Sequence, residues 1–75
     1  MELQEFVTKF AEQFDDTDPD EITATTSYKQ LEEWSSLTAL VIISFIKTEY
    51  DKTVTGAELR SQDTVEDLYN YIESK

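Results

Sequence analysis

Cysteine and histidine are both absent from the 75 residues, glycine, proline and tryptophan occur once each, and only 6 basic side chains stand against 17 acidic ones. Each shortage closes a class of function. Without cysteine no disulfide staples the chain, and without cysteine or histidine there is neither a thiol or imidazole metal ligand nor a Ser-His-Asp, Cys-His or zinc-hydrolase centre. A single glycine leaves no glycine-rich phosphate loop. The formal charge of -11 repels nucleic acid and anionic membranes, which are bound largely through Lys and Arg, so no nucleic-acid partner is expected. The longest uncharged stretch, Trp34 to Ile46, has 13 residues, against the ~20 needed to span a bilayer; no membrane insertion is expected either. Met1-Glu2-Leu3-Gln4-Glu5 carries no signal or transit signature, which makes a cytoplasmic location the default expectation. Asp15, Asp16, Asp18 and Asp20 form an acid cluster, but it lacks the glycine and the closing glutamate of an EF-hand loop, so no metal site is expected.

What remains points to one small helical domain, residues 1–75, acting as a monomer. A chain this short buries only ~60% of the surface its unfolded form exposes, so its stability must come from local helical packing. Leu3, Phe6, Val7, Phe10 and Phe14 recur at spacings of three and four with Glu2, Glu5, Lys9, Glu12 and Gln13 between them, which predicts an amphipathic helix over about residues 2–15. The acid-rich segment around Pro19 ends it. From Thr17 to Trp34 the pattern is weak. Asp18-Pro19-Asp20-Glu21 suits one helical turn with Asp18 as cap, whereas the alternating threonines 23, 25 and 26 also suit a strand. A loop of that length in a compact domain has a function or hidden turns.

The second helix begins at Ser35, placed to accept from the backbone N–H of Leu37 or Thr38, with Ser36 as its first helical residue. Leu37, Leu40, Val41, Ile42, Ile43, Phe45 and Ile46 cover most of its circumference, making it the central helix and exposing part of an apolar surface. Thr55-Gly56-Ala57-Glu58 and Asp63-Thr64-Val65-Glu66 both match the capping-box pattern. They predict a short third helix over Gly56 to Ser61 and a last one over about Thr64 to Ser74. The fold class is therefore all-α: a small four-helix bundle with three main helices, one short third helix and a long first loop.

The two serines before the apolar run should differ. Ser35, as cap, turns its oxygen onto the helix terminus, while Ser36 projects its hydroxyl outward and is the modifiable one. Here the chain resembles the acyl carrier protein family, whose attachment motif is Asp-Ser-Leu at the head of the second helix after a long loop. The resemblance runs through the amphipathic stretch from Leu3 to Phe14, Tyr28 in the loop, Ser36-Leu37, Tyr50-Asp51, Val54, Thr64-Val65 and Tyr71-Ile72.

The resemblance implies that a phosphopantetheinyl transferase moves 4'-phosphopantetheine from coenzyme A onto Ser36, and that the arm's thiol carries acyl groups as thioesters. The chain would then be no enzyme itself. Acyl-transferring and chain-modifying enzymes of fatty acid, polyketide or related lipid biosynthesis would be its partners. Two departures shape the expectation. Ser35 stands where the family usually has Asp, and the second helix presents no acid in its first three turns. Residues 1–33 hold 10 acids and 2 bases, net -8, and residues 34–75 hold 7 acids and 4 bases, net -3. Docking should thus use apolar contacts around Ser36, from Leu37 and Leu40, with Glu32, Glu33, Trp34 and Ser35 beside them. Trp34 reads first as a loop residue folded onto the core and only second as a partner anchor. An acyl chain entering the bundle should pass between the second helix and the short third one, near Ile43, Ile46, Val54, Ala57 and Leu59, since the shortest helix moves at least cost. The alternatives are an aminoacyl or peptidyl carrier on the same arm and, in a different class, an acidic protein-interaction adaptor with no prosthetic group.

Overall fold

The computed structural model describes residues 2–75. Four α-helices follow one another: α1 (Leu3–Ala11), α2 (Ser36–Tyr50), α3 (Gly56–Ser61) and α4 (Val65–Glu73), with 3-10 turns at Pro19–Glu21 and Tyr28–Gln30 in the long first loop. There is no strand among the described residues. The radius of gyration, 11.0 Å, is close to the ~11 Å of a compact chain of this length.

The spacing of Leu3 to Phe14 forms the helix it predicts, but α1 stops at Ala11 rather than near residue 15. The chain tightens there: the N–H groups of Gln13 and Phe14 bond the carbonyls of Phe10 and Ala11 three residues back, at 3.1 and 3.2 Å. Phe14 stays buried, so the apolar stripe outlasts the helix. Next, the backbone N–H groups of Asp15 and Asp16 donate to the two carboxylate oxygens of Glu33, at 2.9 and 3.1 Å. A distant side chain, invisible to local periodicity, sets that end.

The loop is helical turns, not a strand. Asp18 caps the first turn by accepting from the Asp20 N–H at 2.9 Å. Tyr28 opens the second and is fully buried. The threonine segment makes one antiparallel bridge, Ser27 to Thr64. Beside it the carbonyls of Thr26 and Ala24 accept from Val65 and Glu66 at 3.1 and 2.9 Å, satisfying the first two free donors of α4. This pairing fixes the start of α4 one residue later than expected. Thr64 and Asp67 form the capping box, not Asp63 and Glu66. The box at Thr55 and Glu58 stands as predicted and opens α3.

Phe6 is the hub of the core. Its ring lies 5.6 to 6.0 Å from those of Phe10, Phe45, Tyr50 and Tyr69, within the range of favourable aromatic pairs. Helix α1 packs on α4, and α2 on α3. Helix α2 ends at Asp51, whose φ of 54° is left-handed; its N–H bonds the Lys47 carbonyl at 3.0 Å, a termination Asp tolerates better than most residues. No helix of the described residues is long and apolar enough to cross a membrane.

Candidate functional site at the head of helix α2

The backbone and side chains around Ser36 are arranged by their neighbours in sequence. Ser35 is extended (φ -153°, ψ 177°), and its hydroxyl accepts from the Thr38 N–H at 3.3 Å. The Thr38 hydroxyl in turn donates to the Glu33 carbonyl at 2.8 Å. Ser35 is thus the cap, as its position predicts. Ser36, at the first helical position, is exposed and its hydroxyl has no hydrogen-bond partner among the described residues. No acceptor among them faces the backbone N–H groups of Ser36 and Leu37 either, whereas the equivalent groups of α4 are taken by loop carbonyls. The head of α2 is therefore a free hydroxyl beside two free donors, where the helix dipole favours negative charge.

Beside it lies a groove of about 220 Å³ lined by Trp34, Ser35, Ser36, Ala39, Gly56, Leu59 and Arg60. Its far wall, α3, is fastened at both ends. At its C-terminal end the Tyr28 hydroxyl donates to the carbonyls of Leu59 and Gln62, and Lys29 Nζ donates to that of Arg60 at 2.6 Å. Toward its N-terminal end Glu58 accepts from Lys75 Nζ at 2.8 Å, from the Tyr71 hydroxyl, and from the Thr55 N–H at 2.9 Å. Those bonds, the Lys75 ammonium first, bring the Glu58 carboxyl down to about 2. Burial first, then the nearby Asp63 and Asp67 charges, push the Tyr28 phenol far above its ordinary range, so it stays a donor.

The structure divides the expected docking residues by how free their side chains are. Leu37 and Leu40 are 72% and 63% exposed, and Val41, at 38%, extends them into one apolar ridge along α2. Glu32 is exposed and shares a shallow acidic hollow with Asp16, Thr17 and Glu33. Glu33 itself is committed internally. Partial burial pushes its carboxyl up, but donation from Thr17 Oγ1 at 2.9 Å and from the Asp15 and Asp16 amides outweighs this and holds it low. Its charge contributes to the field, while its oxygens are occupied by the loop. Trp34 is half-buried against the core, 5.1 Å from the Tyr28 ring and stacked at 6.4 Å on Phe14.

The residues expected along an acyl path divide in the same way. Ile46, Val54 and Leu59 are fully buried and Ile43 is half-buried against them, so a chain entering between α2 and α3 has to part side chains that belong to one core. Ala57 does not belong with them. It is exposed, because burying Leu59 and lining the groove with Gly56 turns residue 57 of this six-residue helix outward. Ala39, Gly56 and Arg60 are the lining residues that sequence reasoning did not single out. Arg60 was readable in principle: once Thr55 and Glu58 fix the start of α3, it lies one turn from Gly56. Comparison with protein-family models, with curated proteins and with solved structures finds no match.

Proposed function

We propose that the chain is a carrier protein that takes 4'-phosphopantetheine on Ser36 and presents acyl thioesters to partner enzymes. The observation that carries this reading is the contrast between adjacent serines, Ser35 bonded into the helix cap and Ser36 exposed at the positive end of α2, its hydroxyl without a partner among the described residues. In the modification a transferase directs the Ser36 oxygen at the phosphorus of coenzyme A that bears the pantetheine. A serine O–P bond forms, the pyrophosphate P–O bond breaks, the nucleotide portion leaves and the hydroxyl proton passes to a base on the transferase. The residues present fit the group. A phosphodiester on Ser36 would be an anion beside the N–H groups of Ser36 and Leu37, which have no acceptor among the described residues, and the groove next to it would be open to the arm. When bound, the arm supplies the thiol that this cysteine-free chain lacks, and partner enzymes supply the acid-base chemistry.

The apolar ridge of Leu37, Leu40 and Val41 supports protein partners for such a carrier, docking by burial of side chains already out of the core. The same ridge would equally serve an adaptor that carries no arm, and that is the second reading. One experiment separates them. Incubation with coenzyme A and a phosphopantetheinyl transferase should add one phosphopantetheine mass to the wild type and to Ser35→Ala, and none to Ser36→Ala. An unmodified wild type, across several transferases, leaves the adaptor reading. Fatty-acyl and aminoacyl cargoes are told apart by the intact mass of the loaded protein from its native host.

A further inference from the structure

Five of the six basic side chains have an acceptor in the fold. Lys9 pairs with Glu5 at 3.3 Å and Glu49 at 3.5 Å, Lys47 with Asp51 at 3.2 Å, and Lys75 with Glu58 at 2.8 Å. Lys29 and Lys52 donate to the backbone carbonyls of Arg60 and Lys75 at 2.6 and 2.8 Å. Only the guanidinium of Arg60 has no acceptor among the described residues, in a chain with 17 carboxylates to choose from.

Its position is as informative as its freedom. Arg60 lines the groove that Ser36 also lines, and among the described residues it is the only charged one there. One guanidinium nitrogen lies 3.4 Å from where a Cβ on Gly56 would stand, so the side chain folds back over the first turn of α3, as helical side chains do. The backbone beneath it is held by Lys29 on its own carbonyl and by Tyr28 on that of Leu59. A fixed backbone thus carries a cation with a free planar fork, a shape matched to the paired oxygens of a phosphate. The rest of the groove is largely apolar, with Trp34, Ala39 and Leu59.

We infer that Arg60 is the positioning residue for the phosphodiester of the Ser36 arm, gripping the phosphate from the α3 side of the groove and laying the adjoining dimethyl segment of the arm over Trp34 and Ala39. This rests on the carrier reading. The α2 donors and Arg60 then hold the phosphate from two sides. The arm is directed along the groove, away from the Leu37 and Leu40 ridge, which stays free for a partner.

The test loads wild type, Arg60→Lys, Arg60→Gln and Arg60→Glu to completion with a pantetheine arm bearing a fluorophore on its thiol, with loading verified by intact mass. Arg60 is exposed, so unfolding temperatures should stay together. The expected result is high fluorophore anisotropy in the wild type, a fall in Arg60→Gln, a larger fall in Arg60→Glu and a partial recovery in Arg60→Lys, with the phosphorus NMR line moving in the same order. Added salt should bring the wild type toward Arg60→Gln and leave Arg60→Gln unchanged. Equal anisotropy and an unmoved phosphorus line in all four loaded proteins would overturn this inference and leave the carrier reading standing. A wild type that accepts no arm overturns both.

Discussion

Tyr28→Phe removes one oxygen and should loosen the wall of the groove. The Tyr28 ring is fully buried, meets Phe10 edge-on at 5.8 Å and lies 5.1 Å from Trp34, and phenylalanine keeps all of that packing. What goes is the hydroxyl that donates to the carbonyls of Leu59 and Gln62 at the end of α3. A buried acceptor left without its partner costs about 1–3 kcal/mol. The Leu59 carbonyl is the buried acceptor, and the longer bond to the part-buried Gln62 carbonyl adds little, so one orphaned neutral acceptor sets the cost, ~1–2 kcal/mol. At about 4–8 °C per kcal/mol for a domain of this size, the unfolding temperature should fall by roughly 4–16 °C. Thermal and urea unfolding measure the total. Amide exchange locates it: protection should be lost first in residues 56–62, with α1 and α4 still protected. A Phe variant within 0.5 kcal/mol of wild type by urea unfolding, or a loss of protection spread evenly over the chain, would refute the reasoning that this hydroxyl holds α3.

Three further outcomes follow from the same bonds and surfaces. Glu58 has a folded-state value of about 2 against an ordinary 4.5, a depressed carboxyl, so its contribution is complete above ordinary carboxylate pH and is lost as pH falls from about 4.5 toward 2; Glu58→Gln should lower stability at neutral pH and flatten the acid limb, as pH-dependent urea unfolding will show. Glu33→Gln keeps the size of the side chain but weakens acceptance from Asp15, Asp16 and Thr17, and should raise amide exchange at residues 15–17 while leaving α4 unchanged. Leu40→Glu alters a side chain that is 63% exposed, so stability should move by less than ~0.5 kcal/mol, while affinity for a partner that uses the ridge should drop at least tenfold, ~1.4 kcal/mol.

Much of this architecture is legible in the sequence because its signals are local. Thr55 and Glu58 lie within one turn of each other, so the capping box and the start of α3 are read correctly from four letters, and its end from the second capping signal that follows. Ser35 as cap and Ser36 as its free neighbour are read the same way. The errors share an opposite cause. The C-terminal end of α1 is set by Glu33, which bonds amides 17 and 18 residues away, and the start of α4 by carbonyls of Ala24 and Thr26 about 40 residues away. Neither distance leaves a periodic trace. Ala57 fails for a geometric reason: six residues make fewer than two turns, so one buried position, Leu59, decides the orientation of the whole helix. The charge shortage sharpens in the structure too. Six bases are few, yet five have acceptors within the fold, and Arg60, which has none among the described residues, lines the same groove as Ser36.

The central claim is that Ser36, and not Ser35, carries a phosphopantetheine arm. Co-expression with a phosphopantetheinyl transferase followed by intact-mass measurement of wild type, Ser35→Ala and Ser36→Ala tests it most directly. The predicted result is one added phosphopantetheine in the first two and none in the third. Ser35→Ala should also lose about 1 kcal/mol of stability with its cap. No added mass on the wild type, or added mass that survives in Ser36→Ala, contradicts the claim.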